Sequence, residues 1–201
     1  MGERKDRMDT TCPWADGKSR CFWANPKNER YVRYHDEEWG RPVHEDKKLF
    51  ELLLLECFQA GLSWECVLNK REGFRQAFAD FDCDRVCAFT EADIDRLVQT
   101  PEIIRHRRKI EAAINNARVF REIAQEYGSF SAYLWHWTDG NILIDPVSTT
   151  SPLSLALSKD LKKRGMKFIG STTIQSYLQA VGIINAHQPD CFLSPREPVH
   201  R

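Results

Sequence analysis

The sequence predicts an all-α protein. Apolar residues recur at helical spacing through most of the chain, helix start and stop signals bracket those stretches, and "NILI" (141–144) alone reads as a strand. At 201 residues the chain can bury a substantial core, as one large domain or two small lobes.

The elements follow in chain order. The start, "MGERKDRMDTTCPWADGKSR", is polar and lacks the apolar core of a signal peptide, so residues 1–19 are expected to form a disordered tail. Residues 20–201 are expected to form a single domain of two helical lobes. Asp46 is placed to cap a helix that runs through "LLLLECFQAG" to Gly61, where glycine suits the left-handed C-terminal position. Ser63 can start the next helix, with Glu65 in its first turn. Thr90 and Asp93 make a capping-box pattern before "DIDRLV". "PEIIRHRRKIEAAINNARVFREIAQEYG" (101–128) has a helical pattern, a proline start, a glycine stop and a break near its arginines. Ser129 can cap the short aromatic stretch "FSAYLWHW".

The clearest unit spans about 152–182. Ser151 caps it, Pro152 takes the first helical position, and its first helix stops at Gly165. After the tight link "GMKFIG", a second helix starts at Ser171 to Thr173 and ends at Gly182. Such a hairpin can present backbone N–H groups to a phosphate. An ordinary helical hairpin is the alternative.

Composition narrows the function classes. No apolar run approaches the roughly 18 residues of a membrane span, and no membrane partner is expected. Without an export signal, the protein reads as cytoplasmic. Seven cysteines, an odd number, favour reduced thiols, some on a metal, over a disulfide framework. A net charge of +0 does not announce a nucleic-acid partner, but a local basic face suffices for one. Two basic clusters exist: Arg105, Arg107, Arg108 and Lys109, then Lys159, Lys162, Lys163, Arg164 and Lys167. Taken alone, both read as solvated helix faces.

Three groups of residues bear chemistry. Cys21 and His35 lie near the start of the ordered region, and His187 and Cys191 ("HQPDC") near its end. A Cys₂His₂ set suits tetrahedral zinc, and a closed four-ligand site would be structural, stapling the two ends together. The Cys21–His35 gap is no standard finger spacing, so buried cysteines and satisfied histidines are the alternative. Cys83 and Cys87 read as one helix face. Trp23, Tyr31, Tyr34, Trp39 and Trp64 form either core or a stacking cage for a flat or cationic ligand. Glu56 favours the cage. It follows four leucines, where an unpartnered carboxylate costs several kcal/mol or more. Beside aromatic walls it can accept hydrogen bonds from an amine-bearing ring and balance a positive charge. Without a ligand, it is expected to find water or a neighbouring tyrosine or amide.

"YHDEEWG" (34–40), "LFELLLLECFQAGLSW" (49–64), "IIRHRRKI" (103–110), "LKKRGMKFIGSTT" and "HQPDC" together resemble the bacterial 3-methyladenine DNA glycosylase I family, in the same order across about residues 20–192. The resemblance implies an all-α, helix-hairpin-helix glycosylase. It implies a monofunctional enzyme that hydrolyses the N-glycosidic bond of 3-methyladenine in alkylated double-stranded DNA. It further implies structural zinc on Cys21, His35, His187 and Cys191, base recognition by Glu56, and a pocket walled by the five aromatics. Lys163, Arg164, Gly165, Lys167, Gly170, Ser171 and Thr172 map onto the DNA-gripping hairpin, and Gly61 and Leu62 onto the element that fills the gap left by a flipped nucleotide. The expected partners are alkylated duplex DNA and the released 3-methyladenine, with the protein acting as a monomer.

The chain departs from the family's pattern in its longer N-terminal tail, which carries Cys12, and at Phe22, where a small residue is common. Asp190 falls near the superfamily's catalytic aspartate but beside Cys191, and reads as a solvated loop residue. Competing readings are a zinc-stabilised, non-catalytic DNA-binding protein, a plain helical interaction protein, and a glycosylase of wider alkylpurine range.

Overall fold

The structure, a computed structural model, describes residues 14–195. Residues 1–13 of the expected tail, Cys12 among them, lie outside the described residues. Residues 14–19, assigned to that tail for their polarity, instead pack on the body. Arg20 lies 4.5 Å over the Trp14 ring and hydrogen-bonds the carboxylates of both Asp16 and Asp36. The Ser19 carbonyl accepts the Phe192 N–H. A buried guanidinium shared by two carboxylates orders a stretch that has no apolar pattern of its own.

Helix α1 (Glu29–Glu37) starts at Asn28, whose side chain accepts the N–H groups of Arg30 and Tyr31. Helix α2 (Asp46–Gln59) is the central element, and every residue from Leu49 to Phe58 is buried. A helix apolar almost all round belongs in the middle of the molecule. Around it come α3 (Trp64–Asn69), α4 (Arg71–Ala77), a 3₁₀ turn (Ala79–Phe81), α5 (Cys83–Cys87), α6 (Glu91–Gln99), α7 (Arg107–Tyr127) and α8 (Phe130–His136). The last pair is α9 (Pro152–Lys163) and α10 (Ser171–Ala180), and α2 packs directly on α3, α7, α8 and α10. One hydrophobic cluster runs from Cys21 to Cys191. No helix among the described residues is long and apolar enough to cross a membrane.

Most of the start signals act as the sequence indicates. Ser63, Ser129 and Ser151 each cap their helix, and Thr90 closes a capping box with Asp93. "NILI" supplies β1 (Leu143–Ile144), which pairs in parallel with β2 (Ile184–Asn185). This two-residue ladder ties the loop before α9 to the segment that carries His187.

Three further expectations are corrected. Glu45, not Asp46, holds the N-cap position of α2. The Asp46 carboxylate reaches across to accept the N–H groups of Phe130 and Ser131, each at 2.8 Å, and so caps α8 and docks it. The helix expected from Pro101 starts at Arg107, with His106 capping it. Residues 101–106 turn to bury Ile103 and press the Glu102 carbonyl on α4, where a Cβ at Gly73 would stand 2.4 Å from it. Glycine is required at that contact. Finally, Lys109 is no solvated cation but is 7% exposed. Its Nζ donates to the carbonyls of Phe58 (2.8 Å) and Ala60 (2.6 Å) at the end of α2. An ammonium there satisfies carbonyls that the helix leaves unpaired and suits its dipole.

Candidate active site and metal centre

Three helices and the turns flanking the first of them supply the aromatic and acidic residues of the site. From α1, Tyr31 and Tyr34 face inward, three residues apart on one side. From α2 comes Glu56, and from the first position of α3 comes Trp64. Trp23, in the turn before α1, and Trp39, just after it, complete the walls. All six line one cavity of about 140 Å³. That is below the roughly 300 Å³ at which drug-sized pockets begin, and suits a small planar ligand.

The rings form two packed groups around the cavity. Tyr34 and Trp64 lie 5.3 Å apart, Trp23 and Tyr31 5.3 Å, and Trp23 and Trp39 4.8 Å edge to face. Glu56 is 3% exposed, and its Oε2 receives no hydrogen bond from any described residue. The expectation that a tyrosine or amide would satisfy it does not hold for this oxygen. Burial alone pushes its pKa up to about 8. The indole N–H of Trp64 is likewise buried with no acceptor among the described residues. Burial, with the charges of Glu65 and Glu56, raises Tyr31 to about 12. An orphan acceptor and an orphan donor therefore meet in one aromatic cavity. Each costs free energy until a ligand pairs it.

Sequence reasoning left out three lining residues: Gln59, Ser176 and Gln179. Gln59 lies one helical turn beyond Glu56, so spacing could have found it. Ser176 and Gln179 come from α10, and only the packing of α10 on α2 brings them in.

Cys21, His35, His187 and Cys191 also converge, all four buried, with their ligand atoms within 4.8 Å of one another. The cluster could hold a metal ion. Cys191 Sγ lies 3.5 Å from His35 Nε2 and 3.6 Å from His187 Nδ1, and Cys21 Sγ 3.7 Å from His187 Nδ1. His35 donates its other ring N–H to Asp36 at 2.8 Å, which aims Nε2 at the sulfurs. Burial pushes the Cys21 thiol up to about 12 and His187 down to about 4. Gly40, at φ +75°, sits where a Cβ would stand 3.0 Å from His187 Nε2. The cluster abuts the base-sized cavity without entering it: Trp39 packs on His187 at 4.7 Å, and Trp23 on His35 at 5.2 Å. Asp190 is exposed beside it.

The methyladenine glycosylase family model matches residues 23–194. The chain belongs to this family. It is 44% identical over 182 residues to DNA-3-methyladenine glycosylase 1 of Escherichia coli (strain K12), a match that spans 88% of this chain and 97% of that one. A crystal structure of a 3-methyladenine DNA glycosylase I is similar at a TM-score of 0.85 and 45% identity, covering 88% of this chain and 100% of the other. A variant of a 3-methyladenine DNA glycosylase I, in complex with 3-methyladenine, is similar at a TM-score of 0.82 and 41% identity, covering 86% and 96%.

In this methyladenine glycosylase the residues expected to meet DNA are only partly free. Gly61 takes the left-handed conformation at φ +83°, and Leu62 beside it is 40% exposed. Lys163, Lys167 and Thr172 are exposed, and Ser171 partly so. Gly165 needs its glycine at φ +101°, whereas Gly170 does not. Arg164 is otherwise engaged. It pairs with Asp160 (2.7 Å) and Glu126 (2.6 Å) and covers the rings of Tyr127 and Tyr133. The turn between α9 and α10 is held from behind. Asn116 accepts the Lys167 N–H and donates to its carbonyl, both at 2.8 Å, while Ser158 donates to the Ile169 carbonyl at 2.7 Å.

Proposed function

We propose that the chain excises 3-methyladenine from alkylated double-stranded DNA, with Glu56 as the residue that recognises the base. The observation that carries this is the buried carboxylate of Glu56 inside an aromatic cavity, its Oε2 without a hydrogen-bond partner among the described residues, in a chain of this family. A base must leave the duplex before any such cavity can read it. Methylation at N3 gives the adenine of DNA a positive charge, which the aromatic faces and the Glu56 carboxylate both favour. The family relative solved with 3-methyladenine supports the ligand class.

The chemistry needs little acid catalysis. The bond between the sugar carbon and the base nitrogen breaks, and its electron pair neutralises the charge already on the ring. Water adds to the sugar carbon and loses a proton, leaving an abasic sugar and neutral 3-methyladenine. The protein extrudes, stacks and orients the base. Gly61 and Leu62 fill the vacated position, with Lys109 bracing the end of α2 behind them. The paired helices α9 and α10 act as a helix-hairpin-helix that grips phosphates through Lys163, Lys167 and the backbone at Gly170, Ser171 and Thr172. Arg164 orders the hairpin instead of contacting DNA.

Zinc fits the Cys₂His₂ cluster. Bonds of about 2.3 Å to sulfur and 2.0 Å to nitrogen, at tetrahedral angles, set S and N ligands about 3.5 Å apart. The 3.5–3.7 Å separations between these atoms agree. Bound there by four protein ligands, the ion would be structural. It would hold α1, and with it Tyr31 and Tyr34, against the C-terminal segment.

Base release from methylated duplex DNA, with the purine identified, tests the function. Release of 3-methyladenine above the uncatalysed background is expected, and no release would end the reading. Elemental analysis tests the metal: about one zinc per chain, lost in Cys191→Ser. Unchanged metal content would remove Cys191 from the site.

A further inference from the structure

A second groove, of about 290 Å³, runs beside the base cavity and shares Trp23, Trp39, Ser176 and Gln179 with it. Its remaining lining comes from the turn at Phe22, the loop before α9, the first turns of α10 and the segment after β2 (Ala186 and Gln188), and no charged side chain lines it among the described residues. At its floor lies Gln175, only 1% exposed. Ser151 Oγ donates to Gln175 Oε1 at 2.7 Å, which directs the other end of the amide away from Ser151. That end, Nε2, is buried and has no acceptor among the described residues. At the rim Phe22 is 85% exposed, yet its backbone is fixed by donation of its N–H to Gln188 Oε1 at 2.8 Å.

We propose that this groove seats the DNA backbone next to the extruded nucleotide, with the Gln175 amide donating to a phosphodiester oxygen and Phe22 stacking on the adjoining base. The proposal rests on the reading of the neighbouring cavity as the base site. A nucleotide seated there must carry its sugar and phosphates out past the shared wall, and the groove lies along that wall. Phosphate oxygens only accept hydrogen bonds, which matches a floor whose orphan group is a donor. The hydroxyls of Ser148, Thr172 and Ser176 add donors, and there is no carboxylate to repel the strand. An exposed ring on a fixed backbone suits stacking on a base whatever its identity. Since the groove is neutral, its contacts position the strand without releasing counterions, and they leave the salt dependence of binding unchanged.

The test uses the full chain and a duplex with one tetrahydrofuran abasic analogue. Affinity is measured by fluorescence anisotropy, with free 3-methyladenine binding measured in parallel by calorimetry. Gln175→Leu and Phe22→Ala are each expected to weaken duplex binding about tenfold, with free-base affinity and salt slope unchanged. Phe22, being exposed, can be changed without threatening the fold. An uncharged methylphosphonate beside the analogue is expected to weaken the wild type and to add nothing to the loss in Gln175→Leu. Wild-type affinity in both variants, an equal loss of free-base binding, or no duplex binding by the wild type would each overturn the proposal. Duplex and free-base binding without base release from methylated DNA would instead count against the catalytic reading alone.

Discussion

Glu51 and Glu56 lie on the same helix, five residues and so roughly 140° apart, and are 4% and 3% exposed. Their surroundings are opposite. Glu51 Oε1 accepts from Arg71 (2.8 Å) and Arg75 (3.2 Å), and Oε2 from Lys48 (3.0 Å). Glu38 joins the same network through Arg71 and Lys48. Burial pushes the Glu51 pKa up, but the hydrogen bonds and charges of Arg71 and Lys48 together outweigh it, and the net shift is down. Glu56 has burial and nothing to offset it. One carboxylate is therefore completed by the chain itself. The other has no hydrogen bond to Oε2 from any described residue, and it is the one that lines a cavity with aromatic rings, as the proposed base site requires.

The largest expected effect is on stability. Glu51→Ala leaves Arg71 and Arg75 short of a partner and is expected to cost about 3–5 kcal/mol in urea denaturation. The folded fraction should still bind 3-methyladenine. A cost below about 1 kcal/mol would show that the network contributes little and blur the contrast. Next comes Glu56→Ala, expected to abolish free 3-methyladenine binding and to lower base release at least about a hundredfold, with the fold intact. Full retention of base affinity would sink the assignment of the cavity.

The two carboxylates should also respond to pH with opposite signs. Glu56 binds its proton more tightly folded (about 8) than unfolded (4.5), so its charge costs stability progressively as pH rises through that interval. The stability from Glu51, whose folded pKa is depressed below the usual 4.5, is present above that value and lost as pH falls through the folded pKa. Glu56→Gln should therefore gain several degrees in Tm over the wild type between pH 5 and 8. Glu51→Gln should draw level with the wild type only in acid. Parallel Tm curves for the wild type and Glu56→Gln would mean that water already satisfies Glu56. The smallest effect concerns a buried charge of the other sign. Lys109→Met, which frees the carbonyls of Phe58 and Ala60, should cost about 1–2 kcal/mol. It should slow release from DNA more than it weakens free-base binding. Equal losses in both would place Lys109 in the support of the cavity instead of the Gly61–Leu62 loop.

Much of this was legible in the chain. Ser63, Ser129 and Ser151 were recognisable as caps because an N-cap interaction spans only three residues. The aromatic set and Glu56 stood out because a charge within four leucines, or many rings near one segment, violates composition locally. Asp46, Lys109 and Arg164 were misassigned for the opposite reason. Each looks like an ordinary charged surface residue, and its partners lie between 4 and 85 positions away. Trp14 and Asp16 were given to a tail because a single buried arginine, not an apolar stripe, holds them.

Local sequence by itself determined where α3, α6, α8, α9 and α10 begin, and which residue types could bind a flat cation or a metal. Those properties depend on neighbours within a turn or two. Which buried carboxylate would be neutralised and which left open was decided only by the tertiary structure. Arg71 and Arg75 on α4 pack against one face of α2, while the rings of Tyr34 and Trp64 line the cavity at Glu56. The same residue type at the same burial becomes a brace or a binding group according to what the fold sets opposite it.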